Sequence, residues 1–143
     1  MSATKLEAAQ AVKQLHGFVS PSQIEAMDQG AHGEERQFFF DKIVEFADRI
    51  KSMPKTAEQD GKGEDAIIYL HYFIGGMDWY ILEKDIEDEQ LQAFGLADLG
   101  FGAELGYIPI TELLENNVEL DLYFEPKTLA ELKSERTPKP SMF

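Results

Sequence analysis

The chain has 143 residues, 43% of them hydrophobic and 11% aromatic, and carries 27 Asp plus Glu against 13 Lys plus Arg, a formal charge of −14 at pH 7. The length and apolar content suit one core-forming unit and exclude a wholly disordered chain, and the acidity argues against binding nucleic acid through its phosphates. Cysteine is absent, which excludes disulfides, thiolate zinc sites and cysteine nucleophiles.

The first third reads as helical. Ser2 or Thr4 can cap a segment in which Leu6, Ala9, Val12 and Leu15 recur at intervals of three, with Gly17 as its stop. Ser20-Pro21-Ser22-Gln23 has the form of a capping box with proline in the first helical position, opening a helix through Ile24 and Met27 to Gly30. A third helix spans Glu34 to Lys51 on Phe39, Ile43, Phe46, Ala47 and Ile50, with Phe40 and Val44 widening the stripe; Met53-Pro54 ends it. Phe38, Phe39 and Phe40 together cover more than half the helix circumference, so the spacing points to one exposed ring.

Residues 55–65, polar and without a large apolar side chain, read as a mobile linker. Beyond it the hydrophobic period becomes strand-like. Ala66 to Phe73 and Trp79 to Lys84 form a hairpin around a loop of about five residues, which sets Tyr72 opposite Tyr80 and Tyr69 opposite Glu83. Gln92 to Leu96 and Glu104 to Ile108 follow as strands, joined through Gly100-Phe101-Gly102. Thr111 can cap a short helix closing at Asn116-Asn117, Val118 to Phe124 alternates as a fifth strand, and Thr128 to Lys133 suits a last short helix. The expected fold is α+β: N-terminal helices packed with an antiparallel sheet of about five strands. The corresponding division is a helical segment 1–54, a linker 55–65, a sheet domain 66–133 and a loose tail 134–143.

Most of the acidity lies in the second half. Between Ala66 and Pro126 there are 13 carboxylates and one basic residue, Lys84. Unpaired carboxylates are rarely buried, so nearly all are expected on the wet face, the edges or the turns. Such a surface serves solubility and also attracts a basic protein. Glu83, Asp85, Glu87, Asp88, Glu89, Asp98, Phe101 and Glu104 are the candidate contact residues, the last three because loops tend to carry function. Gly95 within a strand indicates a bulge or a close backbone approach.

Signs of chemistry are sparse. Asp85-Ile86-Glu87-Asp88-Glu89 resembles the start of a calcium loop, but Gln90 and Leu96 stand where glycine and glutamate are required. The histidines are scattered, no serine lies in a nucleophile elbow, and there is no phosphate-binding glycine motif. No catalytic residue, metal site or cofactor is assigned. In the hairpin register above, Tyr69, His71, Glu83 and Asp98 form an alternative pocket for acid–base work or a small ligand, against a reading as ordinary cross-strand neighbours.

Leu70 to Leu132 contains LHYF, WYILEKD, QAFGLADLGFGAELGYI and VELDLYFEPKTLAEL. These phrases resemble a bacterial family of unknown function carried by plasmids, phages and integrated elements, on Trp79, Glu83, Phe94-Gly95-Leu96, Asp98 to Gly102, Glu104 to Tyr107 and Glu125-Pro126. The resemblance implies a setting near conjugation and antirestriction genes and supplies no catalytic residue. Many relatives carry a basic residue near the last strand, where this chain has Glu119-Leu120-Asp121.

The expected function is therefore a non-enzymatic, acidic protein-binding accessory factor of a mobile element. Its carboxylates would mimic DNA on a basic host defence nuclease or CRISPR complex. The alternatives are a small-ligand binder or enzyme at the four-residue pocket, or a purely structural, self-associating module. No direct nucleic-acid contact, membrane contact or cofactor is expected. Nothing in the N-terminal stretch resembles a signal peptide and no window approaches ~20 apolar residues, so a cytoplasmic location is expected.

Overall fold

A computed structural model describes residues 2–136. Thr4 is the first cap: its hydroxyl accepts the Glu7 N–H at 3.1 Å while the Glu7 carboxylate accepts the Thr4 N–H at 2.9 Å. Helix α1 (Lys5–Ala11) tightens into a 3₁₀ turn (Val12–Leu15) and the chain leaves it at Gly17, φ 88°. The expected stripe is corrected here. Ala8 and Leu15 are buried, with Ala11 and Val12 beside them, whereas Leu6 is 67% exposed. A strict three-residue spacing drifts about 60° per step around an α-helix, so Leu6 and Leu15 cannot share a face.

Ser20 caps α2 (Pro21–Gly30), accepting the Gln23 N–H at 3.3 Å, with Pro21 in the first turn. The reciprocal half of the expected box is missing. The Gln23 amide instead donates to the Leu120 carbonyl at 2.8 Å and accepts the Leu120 N–H at 2.9 Å, occupying backbone groups on an open sheet edge. Helix α3 (Arg36–Ser52) buries Phe40, Ile43, Phe46, Ala47 and Ile50. Of the three adjacent phenylalanines none is left bare: Phe39 sits against Gly30, and Phe38 lies 5.9 Å from Tyr123 between ring centroids.

The long first strand is split. Strand β1 (Ile67–Ile68) leaves the sheet to pair with β7 (Lys127–Thr128), and β2 (Leu70–Ile74) alone pairs with β3 (Met77–Glu83). The hairpin loop is Gly75-Gly76 rather than five residues, because Gly75 adopts φ 55° and lets Ile74 pair with Met77. The register consequently shifts by one: Tyr72 faces Trp79 and His71 faces Tyr80. With β4 (Ala93–Asp98), β5 (Ala103–Ile108) and β6 (Glu119–Leu120), the antiparallel order is β5-β4-β3-β2-β6. The expected fifth strand is cut to two residues, since the Asp121 carboxylate accepts the Tyr123 N–H at 2.9 Å and turns the chain away.

Helix α4 (Ile110–Glu115) begins one residue before Thr111, so Thr111 is not its cap. Helix α5 (Leu129–Arg136) is capped by Thr128, which exchanges bonds of 3.1 Å with Glu131, and it absorbs Ser134 to Arg136 from the expected tail. Residues 137–143 lie outside the described residues.

The sheet is covered on both faces. Phe46, Ile50, Leu70, Tyr72, Ile81 and Leu120 join the helices to one face in a shared core. Ile68, Tyr80, Leu82, Leu96, Phe124, Leu129 and Leu132 seat α5 on the other. The architecture is α+β.

Candidate functional site

The candidate acidic residues do not form one surface. Glu83, at the end of β3, is only 3% exposed. Its carboxylate accepts the Ala57 N–H at 2.7 Å and the Gln59 N–H at 2.9 Å. Gln59, itself 5% exposed, donates to the Ile67 and Leu82 carbonyls and accepts the Ile67 N–H. The segment read as a linker is thus fastened to β3 and β1 by side-chain-to-backbone hydrogen bonds, and Glu83 is turned inward. Lys84, expected as the lone cation among the carboxylates, donates to the Ile50 carbonyl at 2.8 Å at the end of α3, where a cation complements the helix dipole. Burial lowers its pKa, with Lys55 adding to the effect and Glu58 and Asp88 opposing it.

Asp85 is likewise buried, at 8% exposure, and is corrected from a contact residue to a bracket. Its oxygens accept the N–H groups of Glu87 at 3.1 Å, Leu91 at 3.0 Å and Gln92 at 2.9 Å. Gln90 completes the loop by accepting the Asp85 N–H and donating to the Glu87 carbonyl. The loop is then joined to α4, as Ile110 N–H donates to the Gln90 carbonyl at 2.9 Å and the Thr111 hydroxyl donates to the Glu89 carbonyl. The consequence is that Glu87, Asp88 and Glu89 stand exposed on a loop held to the start of α4, a helix on which Glu112 and Glu115 are exposed as well.

Burial pushes the Asp85 carboxyl up, but the backbone N–H groups of Gln92, Glu87, Leu91 and Ile86 outweigh it and hold the pKa below the usual aspartate value. A pKa lowered on folding contributes stability above the unfolded value of about 3.9, and that contribution is lost as pH falls through the folded value. Asp85→Asn should therefore flatten the acid limb of a Tm-against-pH curve below pH ~4 relative to the unaltered protein. Parallel curves for the two proteins would show that Asp85 does not set this dependence.

The β4–β5 turn places Gly100 at φ 99° and Gly102 at φ 111°, and Asp98 accepts the Gly100 N–H at 2.9 Å. Phe101, between the two glycines, is 98% exposed, and Glu104 is exposed beyond it on β5. Asp98 is half-buried, its other oxygen paired with Arg136 of α5.

The four-residue pocket does not assemble. Tyr69 packs against the helix-side core, and Glu83 is committed to residues 57–59. His71 and Asp98 do share the α5 face, linked through Asp78, Tyr80 and Arg136. His71 Nδ1 lies 3.0 Å from Asp121 and Nε2 lies 2.7 Å from Asp78, with the ring stacked on Tyr80 at 4.6 Å. Arg136 donates to the Tyr80 hydroxyl at 3.1 Å, pairs with Asp98 and reaches Asp78 at 4.0 Å. A histidine serving as a general base keeps one nitrogen open to its substrate, whereas both nitrogens of His71 face carboxylates. Asp78 was missed because a five-residue loop would have contained it; the signal was Gly75-Gly76, which permits a two-residue turn and places Asp78 on β3.

Among the described residues no group of three or more His, Asp or Glu is arranged to hold a metal ion, and no helix is long and apolar enough to cross a membrane. Comparison with curated proteins finds no match, and comparison with solved structures finds none. The match to a family model begins inside α3, takes in residues 55–65 and runs to α5, so it extends further toward the N-terminus than Leu70. Since it covers residues 45–133, the chain belongs to the family described as "Protein of unknown function (DUF2958)".

Proposed function

We propose that this protein is a non-enzymatic acidic module that docks on a basic protein, as an accessory factor of a mobile genetic element. Its carboxylates would stand in for DNA phosphates in the groove of a host defence nuclease or CRISPR complex. The observation that carries the reading is the bracketed loop: Asp85 and Gln90 fix the backbone from inside while Glu87, Asp88 and Glu89 face solvent. A loop already held in place loses little conformational freedom on docking, and like charges gathered on it steer a cationic partner. The engagement of both His71 nitrogens favours binding over catalysis at the α5 face.

The test is affinity capture from a bacterial lysate at ~50 and ~300 mM salt, with a Glu87→Gln/Asp88→Asn/Glu89→Gln variant beside the unaltered protein. A partner held at low salt should be released at high salt, lost with the variant and displaced by duplex DNA. An empty low-salt capture, or a partner retained equally by the variant and at both salt concentrations, would overturn the proposal.

A further inference from the structure

The three N-terminal helices line a partly open cavity of about 240 Å³. Its floor is apolar, formed by the buried Ala8, Leu15, Met27, Phe40 and Ile43. Its rim carries Lys5, Asp28 and His32, all exposed. An apolar cavity of ~150 Å³ stays dry and accepts benzene, because water finds no polar partners there while an apolar guest restores the missing contacts. The larger space here suits a longer hydrocarbon body.

The rim indicates the other end of the guest. His32 Nδ1 lies 2.7 Å from the Asp28 backbone carbonyl and 3.8 Å from the Asp28 carboxylate, an ion pair when the imidazole is protonated. Lys5 has no ion-pair partner among the described residues, in a chain whose charge is −14. An unpaired ammonium at the mouth of an apolar hole matches an anionic head on a hydrocarbon tail.

We infer that this cavity binds a medium-chain fatty carboxylate, with the tail against Met27 and Phe40 and the head at Lys5. The site lies outside the family match and is independent of the acidic loop.

Decanoate titrated into protein carrying ¹³C-methyl methionine tests it. The Met27 methyl signal should shift saturably, while those of Met53 and Met77, which do not line the cavity, should stay in place. Lys5→Glu should weaken decanoate by about fivefold and leave decanol unchanged. Ala8→Phe, which fills the space, should abolish both. No shift of Met27 up to the solubility limit of decanoate, or a shift that persists in folded Ala8→Phe, would overturn the site. Equal decanoate binding by Lys5→Glu would overturn the assignment of the head. Because Lys5 is a surface residue, that variant keeps the test decisive even if Ala8→Phe does not fold.

Discussion

Replacing Glu83 with alanine should destabilise the protein by about 4 kcal/mol, lowering Tm by roughly 10 °C. Two backbone N–H groups, on Ala57 and Gln59, donate to a carboxylate that is 3% exposed, and truncation leaves them facing an emptied space. Each buried donor stripped of a charged acceptor costs about 1–3 kcal/mol. Ala57 is held at φ 76°, a left-handed conformation that alanine adopts only under constraint, so relaxation of that turn offsets part of the loss. The Thr56 N–H still donates to the Lys84 carbonyl at 2.8 Å, which limits that relaxation, while Gln59 loses a tie that seats it where it bridges Ile67 and Leu82. Glu83→Gln, which keeps one acceptor oxygen but points a donor at one of the amides, should cost about half as much. Thermal and urea unfolding of the three proteins measures this. A Tm for Glu83→Ala within about 2 °C of the parent would mean that the carboxylate is not the fastening.

The same residue shows where sequence reasoning stops. Caps are local, so Thr4, Ser20-Pro21 and the stop at Gly17 could be read within a few residues of the features they control. Strand identity was legible for the same reason, from alternation and from β-branched and aromatic residues. Register was not: it depends on the φ of Gly75, and a one-residue change moved Asp78 from a loop to the face it shares with His71. The bonds that organise the site were also out of reach, because they join distant residues. Gln23 meets Leu120, Gln59 meets Leu82, and Glu83 meets Ala57.

Charge was misread for a related physical reason. Counting carboxylates treats them alike, and the rule that unpaired ones stay wet assumes that a cation must do the pairing. Glu83 and Asp85 are buried without a cation because backbone N–H groups satisfy them. Glu87, Asp88 and Glu89 follow the simple rule and remain exposed. The exposure of Glu87, Asp88 and Glu89 was therefore legible, while the internal bonds that hold their loop were not. Arg136, the partner of Asp98, lies beyond the expected last helix, where no local signal ties it to the sheet.

Gly95→Ala should prove as damaging as the loss of Glu83, and the contrast with a neighbouring glycine makes the cause visible. A Cβ on Gly95 would lie 2.0 Å from the Tyr80 carbonyl oxygen and 3.0 Å from the Ile81 Cα. These are backbone atoms of the adjacent strand, so no rotamer change relieves the clash. The sheet must open between β3 and β4, beside the bulge where register shifts between Ile81 and Glu83. A forced separation there removes contacts on both sides of the sheet, since Ile81 belongs to the helix-side core and Tyr80 to the α5 side. The expected cost is about 3–5 kcal/mol, at or beyond the upper end of overpacking effects because the obstacle cannot repack. Gly106 pairs directly with Gly95 on β5, yet a Cβ there meets nothing within 4 Å. Gly106→Ala should accordingly be neutral or stabilise by about 0.5 kcal/mol through the unfolded chain. Urea denaturation of both variants separates the two outcomes: equal effects would place the requirement for glycine in the strand pair as a whole, whereas a large loss confined to Gly95 assigns it to the close approach of β3.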